Sequence, residues 1–157
     1  MIVFINGSIN SGKTTTGKAL ANKLSAEFVD VDDLNDRIPN FDLSKDIPKS
    51  IALAIDEINN LTSNGNTVVV AYPIRKEDHD QIIEGLNGKE IIFITLSPQL
   101  EISQSKRGNR ELTEWEVNRI KYHYDTDISN PGFGEIIDNS DLSVDETVER
   151  IIDIVKL

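Results

Sequence analysis

The eight residues Gly7-Ser8-Ile9-Asn10-Ser11-Gly12-Lys13-Thr14 constrain this chain more than any other stretch. They fit G-x-x-x-x-G-K-[ST] without a mismatch, and the spacing has a physical reason. Gly7 and Gly12 permit backbone angles and close approach that a Cβ would forbid, so successive N–H groups can converge on phosphate oxygens. Ile2-Val3-Phe4-Ile5, just before the loop, is a continuous apolar run that reads as a buried parallel strand ending at Asn6. Behind the loop, Ala19, Leu20 and Leu24 mark an amphipathic helix whose first turn is Lys13 to Thr16. The positive end of its dipole points at the loop. Lys13 is placed to reach β- and γ-phosphates, and the Thr14 hydroxyl to hold Mg²⁺. The expected nucleotide-contacting set is Gly7, Ser8, Asn10, Ser11, Gly12, Lys13, Thr14 and Thr15.

Composition narrows the setting. A chain of 157 residues can bury about 70% of its unfolded surface, and no Pro-rich linker, repeat or low-complexity tract divides it, so residues 1–157 read as one domain. The net charge of −11 disfavours nucleic acid and anionic membranes as partners. With no cysteine, no apolar run approaching ~18 residues and no leader-like start, the chain reads as cytoplasmic, a monomer or weak homodimer working on small molecules. Against the acidic background, Lys106, Arg107, Arg110, Arg119 and Lys121 form a local basic cluster that a polyphosphate would explain.

Strand and helix signals alternate along the rest of the chain, which predicts a parallel sheet with helices on both faces. Glu27-Phe28-Val29 is a second strand running into Asp30-Val31-Asp32-Asp33, with Asp36 and Arg37 beyond. Those carboxylates are either a solvated helix start or a site at the carboxyl end of a strand. Thr67 to Ala71 is the third strand, ending at Tyr72-Pro73-Ile74-Arg75, a second candidate rim. Glu90 to Leu96 is the fourth, followed by a helix with Ser97 as its expected N-cap. Thr113-Glu114-Trp115-Glu116 has the form of a capping box opening another helix, on which Trp115 and Tyr122 read as packing residues. A fifth strand, Glu135 to Asp138, and a last helix, Val144 to Val155, complete the order.

With these residues in place, the chain resembles the small P-loop kinases: shikimate kinase, gluconate kinase, adenylylsulfate kinase, chloramphenicol phosphotransferase and the nucleoside monophosphate kinases. Phe28-Val29-Asp30-Val31-Asp32 looks like the F-x-D-x-D that ends strand two of shikimate kinase. The segment 106–113 stands where the family has its lid, and residues 136–143 are similar to the last strand and turn of the adenylylsulfate and chloramphenicol enzymes. The resemblance implies a three-layer α/β/α P-loop fold with a five-stranded parallel sheet in the order 2-3-1-4-5. It implies ATP and Mg²⁺ as cofactors and a small-molecule hydroxyl as phosphoryl acceptor. Carried onto this sequence, it makes Lys13, Asp32, Arg107 and Arg110 catalytic, Asp30 a partner of Thr14 at the metal, and Asp32 the base. Asn139 and Ser140 fall near the adenine, and which lid arginine serves the phosphoryl group stays open. Asp32, Asp33, Arg37, Tyr72, Arg75 and Arg119 are the expected acceptor residues. The acidic rim argues for a neutral or cationic acceptor. A nucleoside or nucleotide kinase, and in a different class a nucleotide-dependent switch or slow ATPase, are the alternatives.

Overall fold

The computed structural model describes residues 1–155. Strand β1 (Ile2–Gly7) leads to α1 (Lys13–Leu24), β2 (Glu27–Asp30), the single turn α2 (Val31–Leu34), α3 (Ile47–Ser63) and β3 (Val68–Ala71). Then come α4 (Lys76–Gly85), β4 (Ile91–Leu96), the short α5 (Leu100–Ser103), α6 (Glu114–Asp125), β5 (Glu135–Ile137) and α7 (Val144–Val155). The strands pair in parallel in the order β2-β3-β1-β4-β5, as the resemblance implies.

The apolar runs of β1 and β3 lack alternation because both faces of the sheet are covered. Ile2, Phe4, Val68 and Val70 point to one side, where they meet Ile51, Ala54 and Ile58 of α3 and Ile82 of α4. Val3, Ile5 and Val69 point to the other, against Leu20 and Ala21 of α1 and Val148, Ile151 and Val155 of α7. Each fully buried aliphatic side chain contributes about 1.5–3 kcal/mol, so the central strands are the most secure part of the molecule. They are the platform on which the loops at their carboxyl ends stand. From β1 the chain crosses by α1 to the β2 edge, and from β3 it crosses by α4 to β4 on the far side of β1. Crossovers that leave in opposite directions open a crevice at those carboxyl ends.

One boundary differs from the sequence reading. Ser97 does not cap the helix after β4: its N–H donates to the Ile137 carbonyl at 2.9 Å, prolonging the β4–β5 ladder. The helix begins later, at Leu100, and lasts a single turn. The ladder bond satisfies the Ser97 backbone better than an early helix start would, because β5 lies alongside.

Candidate active site

The phosphate loop bridges β1 and α1. Gly12 adopts φ 94°, a left-handed angle that side-chain-bearing residues rarely take, and so lets α1 begin at Lys13. At Gly7, a Cβ would lie 2.6 Å from the Leu96 carbonyl oxygen, so a side chain there would push β1 off β4. Below the loop, Ser8 and Ser11 are buried, and the Asn139 side-chain amide donates to the Ser11 carbonyl at 3.0 Å. Asn139 thus braces the loop from beneath, where the sequence expected it at the adenine edge. Ser140 is likewise occupied, its hydroxyl accepting from Gln99 N–H at 2.8 Å and donating to Asp138.

Lys13, Asp30 at the end of β2 and Asp32 on α2 converge on the front of the loop. The Thr14 hydroxyl donates to Asp30 Oδ2 at 3.0 Å, while Asp30 Oδ1 caps α2 by accepting from Asp32 N–H at 3.2 Å. The cap sets Asp32 in the first turn of α2, facing the crevice. Lys13 Nζ donates to the Ser8 carbonyl at 3.1 Å. Burial lowers the Lys13 pKa, and the negative charges of Asp32 and Asp30 oppose that shift. The reverse holds at Asp32, where desolvation raises the carboxyl above its ordinary range and Lys13 pulls it back. Asp32 still meets solvent at the cavity wall, so its shift reflects a partly shielded position.

The lid is a tight turn. Arg107 and Arg110 pair across an antiparallel bridge, with Gly108 at φ 65° between them. Arg107 Nη1 donates to the Asn10 carbonyl at 2.9 Å, and the Asn10 side chain donates to the carbonyls of Ser103 and Ser105. Asn10 thereby ties the phosphate loop to the base of the lid, and it holds φ 62°, which asparagine tolerates better than most residues. Arg110 pairs with Glu116, which also closes the capping box of α6 by accepting from Thr113 N–H at 2.9 Å. That arrangement separates the two arginines.

Two cavities flank this set. One, of about 460 Å³, is lined by Asn10, Gly12, Lys13, Thr14, Arg107 and Arg110 and has the position and donors for a nucleotide. The other, of about 340 Å³, opens between the segment after β2, the end of β3 and α6. Arg110 lines both cavities. Of the expected acceptor residues, Asp32, Tyr72, Arg75 and Arg119 line the second cavity. Arg75 makes a paired contact with buried Asp78, at 2.9 and 2.6 Å. The guanidinium of Arg119 rests over the Tyr122 ring at 4.6 Å.

Asp33 and Arg37 are not brought to the site. Asp33 is exposed and does not line the cavity, and Arg37 faces outward to Glu57 at 3.4 Å. A four-residue helix turns successive side chains apart by about a third of a circle each, so only one of the neighbouring carboxylates can face the cavity. The acidic rim therefore does not form there. Asp32, Asp78 and Glu116 are matched in the lining by Arg75, Arg110 and Arg119, and the argument for a cationic acceptor loses its basis.

Sequence reasoning passed over two buried residues and misjudged a third. Asn6, fully buried at the end of β1, donates to Thr95 Oγ1 at 2.9 Å and to the Ile128 carbonyl at 3.0 Å. It also accepts from Ile74 N–H at 2.7 Å, so one side chain holds Tyr72 to Ile74 and Ile128 in the cavity wall. His123, on α6, is buried with Nδ1 3.3 Å from Ser8 Oγ, and desolvation, aided by Arg119 and Lys13, pushes its pKa down to about 3. A polar residue directly after a hydrophobic strand was the available signal for Asn6; nothing local marked His123. Trp115 is no packing residue, being 58% exposed on the cavity.

Comparison with known proteins agrees with this geometry. The shikimate kinase family model matches residues 9–44, the stretch from the phosphate loop through β2 and α2. A probable gluconokinase from Dictyostelium discoideum is 27% identical over 175 residues, covering 99% of this chain and 86% of its own. Among solved structures, the tunicamycin resistance protein of Deinococcus radiodurans superposes with a TM-score of 0.71 at 22% identity, covering 99% of this chain and 95% of that one. A sugar kinase from Janibacter sp. reaches a TM-score of 0.73 at 17% identity, covering 99% and 94%. These findings support a P-loop small-molecule kinase with a three-layer α/β/α fold.

Proposed function

We propose that this protein is an ATP-dependent phosphotransferase that moves the γ-phosphoryl group to a hydroxyl of a small molecule. The observation that carries the reading is the meeting of two cavities at Arg110, with Lys13 on the nucleotide side and Asp32 on the acceptor side. Phosphoryl transfer asks little covalent chemistry of a protein; it asks for alignment and for compensation of negative charge. The loop N–H groups and Lys13 hold the phosphates, and Arg110 balances charge on the group in transit. Asp32 takes the proton of the acceptor hydroxyl as the new P–O bond forms and the bond to the ADP oxygen breaks.

Thr14 Oγ1 and Asp30 Oδ2, 3.0 Å apart beside the loop, are hard oxygen donors suited to Mg²⁺. Among the described residues no group of three His, Cys, Asp or Glu could hold a metal unaided. Phosphate oxygens and water would complete the shell, as is usual for magnesium at nucleotide sites. When bound, the ion would neutralise charge on the phosphates. Arg107, anchored to Asn10, serves the nucleotide side of the lid, and Arg110 the phosphoryl group. The protein acts as a single domain, a monomer or weak homodimer, on two small molecules.

A second reading of the acceptor is favoured by Arg119. Among the described residues it has no carboxylate within 4.0 Å, yet it lines the cavity, and a carboxylate on the acceptor would supply one. The name of the probable gluconokinase agrees with such an acceptor. Purified protein with ATP and Mg²⁺ should be nearly idle alone and turn over when the right sugar, polyol or hydroxy acid is added. Asp32→Asn should remove transfer while nucleotide still binds. Rapid hydrolysis without any acceptor would overturn the kinase in favour of an ATPase.

A further inference from the structure

The walls of the acceptor cavity are unequal. Asp32, Arg110 and the buried His123 share the lining with the apolar side chains of Phe41, Leu43 and Trp115. The three apolar side chains come from different parts of the chain, Phe41 and Leu43 from the segment between β2 and α3, Trp115 from the first turn of α6. Neither Leu43 nor Trp115 is satisfied by packing, the first being 38% and the second 58% exposed. An indole left this open beside a cavity, on the helix turn whose capping box is itself tied to Arg110, offers a flat apolar surface to a ligand. Of the guanidinium groups in the lining, Arg75 and Arg110 are turned toward Asp78 and Glu116, and Arg119 lies over the Tyr122 ring. The charged groups of the lining suit hydroxyls; its exposed apolar side chains suit a planar apolar group.

We infer that the acceptor is amphiphilic: a hydroxyl-bearing part that reaches Asp32, joined to a planar or aromatic ring that lies against Trp115 in the cavity that Phe41 and Leu43 also line. The inference rests on the phosphotransferase reading and adds the ring. A compact polyol would leave the exposed Leu43 and Trp115 in water. A ring covers them, and one stacking contact on an aromatic side chain changes affinity about tenfold.

Trp115 is the only tryptophan of the chain, so its fluorescence reports on this wall without any need for turnover. With ADP and Mg²⁺ present, matched probes should be titrated: phenyl β-glucoside against methyl β-glucoside, and uridine against methyl riboside. Quenching by a ring-bearing member at concentrations about tenfold below its ring-free partner is the expected result. Equal behaviour within both pairs, or no quenching by either ring-bearing compound, overturns the inference. Trp115→Ala should lower the ratio of kcat/KM between ring-bearing and ring-free members of a transferred pair about tenfold, and Trp115→Phe should restore most of it. An unchanged ratio in Trp115→Ala also overturns it. Quenching by the ring-bearing probes in a protein that hydrolyses ATP rapidly without any acceptor would sink the kinase and leave the ring site standing; transfer to ring-free partners with equal kcat/KM would do the opposite.

Discussion

Acid should weaken this fold through one residue, His123, before its carboxylates matter. The imidazole is buried under the phosphate loop, close enough to Ser8 for a hydrogen bond, and repelled by Arg119 and Lys13 when protonated. Its folded-state pKa of about 3 lies well below the ordinary 6.5 of the unfolded chain. Across that interval the unfolded state carries a proton that the folded state refuses, so stability falls as pH drops, by about 1.4 kcal/mol per pH unit. Integrated from about pH 8 to about pH 5, the loss is about 2 kcal/mol, a large share of the ~5–15 kcal/mol that a domain possesses. Urea unfolding at several pH values, on the wild type and on His123→Gln, isolates the effect, because the carboxylates are common to both and cancel in the difference. The wild type should lose about 2 kcal/mol more than the variant over that range. Parallel pH dependences in the two proteins would refute the argument and mean that His123 accepts a proton in the folded state.

Lys13→Ala should reduce phosphoryl transfer more than tenfold while leaving the unfolding midpoint close to wild type, since the lost charge-assisted contacts are worth at least ~2 kcal/mol and no core is touched; retention of a tenth of the activity would refute it. Asp32 predicts an acid limb in kcat/KM: the base works only when ionised, so activity falls as pH drops through a pKa raised above 3.8, and a limb at or below that value would deny Asp32 the role. The same raised pKa makes the carboxylate a burden on the fold, stability falling as pH rises from the unfolded value through the folded one, so Asp32→Asn should melt higher at neutral pH; an unchanged or lower Tm would count against the shift. Residues 106–112, rich in charge and poor in buried apolar contacts, should gain hydrogen-exchange protection with a non-hydrolysable ATP analogue, and equal exchange in both states would mark them as a fixed surface turn.

The sequence by itself determined the phosphate loop, the alternation of strands and helices, and the capping box of α6. Each is a local requirement: Gly12 needs only its own φ, the Thr113–Glu116 exchange spans a single turn, and β1 announces burial on both faces by lacking alternation. The strand order and the lid assignment came through family resemblance, because no short-range signal says which strand lies beside which. Only the tertiary structure decided which side chains share a cavity. It parted Asp32 from Asp33 by the pitch of one short helix and set Arg110 between two cavities while Arg107 stayed on the loop. It turned Arg75 onto Asp78, moved Asn139 beneath the loop, and left Trp115 open on the cavity rim. The physical reason is range. Propensity, capping and periodicity act within about one helical turn, whereas the Asn6 contacts with Ile74, Thr95 and Ile128 join residues separated by 68, 89 and 122 positions and exist only once the sheet has closed.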